Sequence, residues 1–303
     1  MGPTHGRPQR QEEGFPTENT LAAFQAAFDD GADGIECDIQ ISKDGVAMIT
    51  HDYALNGQVA GADPARTDLG TVGDHTAAQL QAMDLGQGKH MPQLADVLDL
   101  YCRTNPAYRA EHGHNRVINL DLRRAGSADI VYDTVMAYVR DGRLNKEDFV
   151  FNSFKWDELA ALKKRDPALR ISPSLPTKEM FGEENVTMPG YYLKPGCSVR
   201  PEFMQKLEAF QQESPCFGVD CNISNLRPEI FAFAEKHHLC LFGSDYKKGP
   251  GYRQALDSFI SNRCKNCDCV LKMDDVSTAI PYVRMAEMGR VRLTTPAALD
   301  CPT

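Results

Sequence analysis

The chain has 303 residues, 42% hydrophobic and 25% charged, with 23 Gly, 18 Pro and 10 Cys. That composition is near the average for globular proteins and excludes a disordered, collagen-like or coiled-coil polymer. Asp plus Glu number 42 against 33 Lys plus Arg, a formal charge of −9, so the summed field opposes binding to nucleic acid or to an anionic membrane surface.

From the N-terminus, Met1 to Arg7 is polar, with no apolar stretch of a signal peptide, and no segment approaches the roughly 18 apolar residues of a spanning helix. The chain is therefore expected to be cytoplasmic and without a transmembrane segment, with secretion left open if the N-terminus is processed; oligomeric state is not addressed by the sequence. Leu21 to Phe28 has apolar residues at helical spacing behind Thr17, Asn19 and Thr20, and closes on Asp30-Gly31, which predicts a helix ended by a C-terminal glycine. Strand-type runs follow at Gly34 to Ile41, Val46 to His51, Val117 to Leu122, Phe149 to Asn152, Leu169 to Pro173, Phe217 to Cys221, Leu239 to Gly243 and Arg290 to Thr294. Helical runs lie among them at Leu94 to Tyr101, Asp157 to Lys164 and Pro228 to His237. Such alternation predicts an α/β protein of βα units around a parallel sheet. The stretch Asn56 to Gly73 reads as a long surface loop and Glu111 to His114 as a polar loop. No composition shift divides the chain, so residues 1–303 are expected to form one domain, and eight strand runs are nearly a barrel's worth. Cys264, Cys267 and Cys269 resemble half a zinc site without a fourth ligand at motif spacing, and are read as free thiols.

Three places carry chemistry. Within a β-type run, alternation puts Glu36 and Asp38 on one face and Cys37, Ile39 and Ile41 on the other. Two carboxylates in a buried strand are costly unless a cation lies between them. His51-Asp52 ends a second run and His5 precedes the first helix, positions where an imidazole serves as general acid or base. In the third run Asn119, Asp121 and Arg123 share a face, an acid for a cation beside a planar fork for phosphate oxygens. Three hard oxygen ligands suit Mg²⁺ or Ca²⁺ better than Zn²⁺.

His5-Gly6-Arg7, Glu18-Asn19-Thr20-Leu21-Ala22-Ala23-Phe24, Gly31 to Asp38, Lys43-Asp44-Gly45 and His51-Asp52, in that order and spacing, resemble the N-terminal signature of glycerophosphodiester phosphodiesterases. The resemblance continues through Met91 to Leu98, Val117 to Arg123, Asn152-Ser153-Phe154 and Val291 to Pro296. It implies a single TIM (β/α)8 barrel with a truncated first strand, and hydrolysis of a glycerophosphodiester to glycerol 3-phosphate and an alcohol. It also implies attack by the substrate's own glycerol hydroxyl through a cyclic phosphate. By position, Glu36, Asp38 and Asp121 would hold one divalent cation, Mg²⁺ or Ca²⁺. His5 and His51 would act as general base and general acid, and Arg7, Arg123 and Glu18 would face phosphate or substrate.

The chain departs from the family pattern in several places. His5-Gly6-Arg7 stands for His-Arg-Gly, Asp121 for Glu, Arg123 for Lys, Thr294-Thr295-Pro296 for Thr-Asp-x-Pro, and Phe242 for Trp. Two other functions fit the same barrel: a lysophospholipase D or sphingomyelinase D-like phospholipase, its lysolipid resting on loop residues such as Phe181, Met188, Tyr191 and Tyr192, and an inactive protein that binds phosphate ligands.

Overall fold

The computed structural model describes residues 16–187, 192–193, 196–245, 256–257, 259–260 and 268–273. They fall into two compact units that meet in sequence between Leu169 and Arg170.

In the first unit, helix α1 (Leu21–Asp29) begins at Thr20, whose hydroxyl accepts from the Ala23 amide at 3.3 Å. It ends before Gly31, at φ +83°. Strand β1 (Gly34–Ile41) is buried along its whole length, as expected for a parallel strand covered on both faces. The chain then turns through Ser42 to Val46, with Gly45 at φ +77° and the Ser42 and Val46 main chains bonded at 3.0 Å. It returns as β2 (Ala47–Ile49), antiparallel to β1, with Ile39 opposite Ile49 and Ile41 opposite Ala47. The short turn after β1 leaves no room for a crossover helix, so this pair is a hairpin beside the parallel sheet expected from the sequence.

Between β2 and α3 (Leu94–His112) the chain builds a small satellite core of Met48, Leu55, Val72, Ala77, Leu80, Leu85 and Met91 around α2 (Ala77–Gln81). The stretch 56–73 is thus anchored at both ends: Asn56 and Gln58 are buried, and Val72 is in the core. Helix α3 outruns its predicted end by a further three turns, through Pro106, to a left-handed cap at Gly113, so Glu111 and His112 are helical rather than loop. Strand β3 (Val117–Leu122) pairs in parallel with β1, and β4 (Phe149–Ser153) pairs in parallel with β3. Helices α4 (Ala128–Arg140) and α5 (Trp156–Arg165) complete the unit. Buried Glu158 of α5 accepts from the amides of Gly126 and Ala128 at 2.7 and 2.9 Å, satisfying orphan donors at the start of α4. Arg116 lies between the rings of Phe28 and Tyr108, 4.5 and 4.1 Å from their centroids, and ties α1 and α3 to the foot of β3.

The second unit holds β5 (Ile171–Pro173), α6 (Thr177–Phe181), the small hairpin β6 (Val186–Thr187) with β7 (Tyr192–Leu193), α7 (Pro201–Glu213), β8 (Gly218–Asn222), α8 (Pro228–His237), β9 (Cys240–Asp245) and β10 (Cys269–Met273). Strands β8, β9 and β10 are parallel neighbours, and β5 lies beside β8 through the Ser174–Asp220 bridge. Lys272 forms a buried ion pair with Asp220. Phe242 is buried and faces Phe217. The predicted strand at 290–294 lies outside the described residues, as do Cys264, Cys267, Met188 and Tyr191; Cys269 opens β10, and the described cysteines form no disulfide with one another.

Gly34 sits where the β1 backbone crosses Val117 so closely that a Cβ would collide with the Val117 carbonyl. Gly34→Ala is expected to lower stability by about 1–3 kcal/mol, the cost of overpacking, measured as a lower urea midpoint with unchanged slope.

Candidate metal centre and active site

The β1–β3 register sets Glu36 opposite Asn119 and Asp38 opposite Asp121, and β4 adds Asn152 opposite Asp121. Partners in a parallel pair project to the same side, so one buried face carries Glu36, Asp38 and Asp121 at 4%, 1% and 3% exposure. One carboxylate oxygen from each lies within 4.8 Å of the others.

Two side chains hold these acids. The Arg123 Nη1 is 3.1 Å from Asp121 Oδ2 and 3.4 Å from Asp38 Oδ1. Burial disfavours its charge, but Asp121 and Asp38 outweigh burial and keep the guanidinium firmly protonated. Asn19, at φ +52°, donates from Nδ2 to Asp38 Oδ2 at 2.9 Å and accepts from the Asp38 amide at 3.2 Å. Burial pushes the Asp38 carboxyl above its ordinary range, against the pull of Arg123. Asp38 Oδ1 has no hydrogen-bond donor among the described residues. Three buried carboxylates against one guanidinium leave two negative charges, which suits a divalent cation bound by hard oxygens.

His51 reaches this group because β2 doubles back. The Thr50 amide donates to the Asp38 carbonyl at 2.9 Å, which brings the imidazole to the level of the acids rather than to the far end of a parallel strand. Its Nδ1 is 2.6 Å from Asp52 Oδ1 and its Nε2 is 2.9 Å from Arg123 Nη2. A guanidinium only donates, so Nε2 accepts here, the proton is on Nδ1 and the ring is neutral. Burial, the largest influence, favours that neutral form; the Asp52 bond and the charge of Asp38 outweigh it and hold the pKa above the ordinary 6.5.

Of the residues expected from sequence, Glu36, Asp38, Asp121, Arg123 and His51 come together. Glu18 is buried in the turn before α1, where its neighbour Asn19 is the residue that contacts Asp38. His5 and Arg7 lie outside the described residues. Asn19 and Asp52 were not expected as working parts; Asn19 reads as one of several helix-start residues, and its left-handed backbone has no sequence signature.

Residues 7–194 match the model of the glycerophosphoryl diester phosphodiesterase family. The chain belongs to this family. Every described site residue falls within that match, and His5 precedes it. Among curated relatives, the chain is similar to the glycerophosphodiester phosphodiesterase of Caldanaerobacter subterraneus subsp. tengcongensis, 27% identical over 165 residues, which are 51% of this chain and 59% of the relative. The chain thus spans about six tenths of that protein's length. Among solved structures, it is similar to a glycerophosphodiester phosphodiesterase from Agrobacterium tumefaciens, with TM-score 0.56 and 20% identity over 88% of this chain and 95% of that one. It is also similar to an Oleispira antarctica phosphodiesterase in complex with the product sn-glycerol-3-phosphate, with TM-score 0.64 and 16% identity over 89% and 92% of the two chains. The likeness shows the family's fold, a TIM barrel; the strand that would precede His5 falls outside the described residues. Among the described residues no helix is long and apolar enough to cross a membrane.

Asp52→Asn removes the charge that favours the imidazolium. In the metal-free protein the His51 titration midpoint, followed by nitrogen NMR, is expected to fall by about one pH unit. The sign follows for stability as well. A raised pKa makes the His51 contribution complete below pH 6.5 and lost as pH rises through the folded value. Asp52→Asn shrinks this dependence.

Proposed function

We propose that the chain is a divalent-metal-dependent phosphodiesterase that hydrolyses glycerophosphodiesters to glycerol 3-phosphate and an alcohol. The observation that carries this reading is the buried Glu36, Asp38 and Asp121 cluster with Arg123 across its edge. Family membership and the glycerol-3-phosphate complex of the Oleispira antarctica neighbour support the substrate class. Likeness to solved structures over about nine tenths of the chain supports reading residues 1–303 as one barrel domain.

Glu36, Asp38 and Asp121 would hold one Mg²⁺ or Ca²⁺. When bound there, the cation supplies Lewis-acid charge that polarises the phosphate and stabilises the more negative transition state. Arg123 offers its fork to a nonbridging oxygen. In doing so it withdraws donors from His51 Nε2, so phosphate arrival frees that nitrogen to carry a proton. Asp52 keeps the ring oriented through Nδ1–H. A glycerol hydroxyl then attacks phosphorus, its proton passing to His5 as general base. The P–O bond to the alcohol breaks as His51 Nε2–H delivers its proton to the leaving oxygen, giving a cyclic phosphate. Water opens the ring with the two imidazoles exchanging roles. Arg7 is assigned to the phosphate and Glu18 to the substrate side of His5.

A second reading, lysophospholipase D activity, draws on two aromatics. Tyr53 follows His51-Asp52 and Phe154 follows Asn152-Ser153, and they are 44% and 56% exposed, the exposed large apolar side chains among the described residues. Apolar rings beside the ends of β2 and β4 would favour an acyl chain over water.

Phosphorus NMR with glycerophosphocholine separates these outcomes. Metal-dependent appearance of glycerol 3-phosphate, abolished by chelator, is expected, and Asp121→Asn is expected to slow it by about a thousandfold, the several kcal/mol of a Lewis acid. Cleavage of lysophosphatidylcholine alone would transfer the assignment to the second reading. Silence with both would leave a phosphate-ligand binding protein.

A further inference from the structure

Asn119 is fully buried, at 0% exposure, and among the described residues neither its Nδ2 nor its Oδ1 has a hydrogen-bond partner. A buried amide left in that condition is destabilising relative to a satisfied one, and an apolar side chain of similar size would fill the position without that cost. Such a residue is expected where the missing partner arrives with a ligand.

Its position identifies the ligand. Asn119 is the direct β1–β3 partner of Glu36, and it lies two residues before Asp121, on the same face of the strand. It therefore projects toward the carboxylate cluster, on the side of Glu36. Ligating carboxylates are themselves held by hydrogen-bond partners. Asp38 has Asn19 at 2.9 Å, and Asp121 has Arg123 at 3.1 Å. Asn119 is the uncharged polar group in register with the third acid. Neighbouring parallel strands lie about 4.8 Å apart, within reach of an amide and a carboxylate either directly or through one water, which needs two to four polar partners to be held.

We propose that Asn119 is a positioning residue of the cation site, its amide holding Glu36 in the ligating position when a divalent cation is bound. This inference rests on the reading of Glu36, Asp38 and Asp121 as a cation site. It assigns Asn119 a task distinct from barrel packing. The amide is idle in the metal-free protein and engaged in the loaded one, so its contribution shows in cation affinity rather than in the stability of the empty fold.

The test is calorimetric titration of chelator-stripped protein with Mg²⁺ and with Ca²⁺, together with thermal unfolding in the metal-free state, for wild type and Asn119→Leu. The leucine variant is expected to unfold at an equal or higher temperature than wild type without metal, yet to bind the cation about tenfold or more weakly. Equal affinities for the two proteins would overturn the proposal while leaving the cation site intact. Failure of wild type itself to bind either ion would overturn the cation-site reading and this inference with it, so the two failures are distinguishable. Should Asn119→Leu not fold, Asn119→Ser replaces it. The shorter hydroxyl keeps the position polar but lacks the reach of the amide, and the cation-induced rise in unfolding temperature is expected to be smaller than that of wild type. An unchanged rise would overturn the proposal.

Discussion

Everything in the first unit is arranged around the problem of keeping three carboxylates close together and away from water. Their mutual repulsion opposes the β1–β3 pairing that assembles them, so the opposite face must supply the attraction. It does so with Ile35, Cys37, Ile39 and Ile41 of β1 and Ile118, Leu120 and Leu122 of β3, all buried. Gly34 lets the two backbones approach at the start of that pair. The result is a frame on which the three acids are held within 4.8 Å of one another.

Arg123 links the parts of this arrangement. One terminal nitrogen faces Asp38 and Asp121 and the other faces His51, so a single planar group senses both the acids and the imidazole. A lysine, with one point charge, could neutralise the acids but could not make both contacts with fixed geometry. With arginine where the family pattern has lysine, one side chain ties the two acids to the imidazole.

Much of this was legible in the sequence because alternation along a strand is read directly. Glu36 and Asp38, and Asn119, Asp121 and Arg123, follow from period two, and both strands have the predicted ends. What period two cannot give is the partner across the ladder. The juxtaposition of Asn119 with Glu36, and of Asn19 with Asp38, depends on register and on a left-handed backbone, neither of which is written locally. The direction of β2 is hidden for a related reason: a β-type run has the same pattern whether the connection is a crossover or a hairpin. Helix α7, thirteen residues from Pro201 to Glu213, was not anticipated, since its polar faces dilute the apolar repeat, and the charged end of α3 concealed its length in the same way.

The hairpin between β1 and β2 gives the turn at Ser42 to Val46 a significance beyond its size. Glu36, Asp38 and His51 belong to one short stretch of chain, and the turn fixes how far along β1 the end of β2 falls. Ile49, the last residue of β2, pairs with Ile39 and so lies on the apolar face, and strict alternation would send His51 to that face as well; His51 comes to Arg123 because the chain leaves the strand after the Thr50–Asp38 bond. The left-handed Gly45 thus acts as a spacer of fixed length: from outside the acid cluster, it sets which residue lies level with Asp38, and so the point at which the chain leaves the sheet.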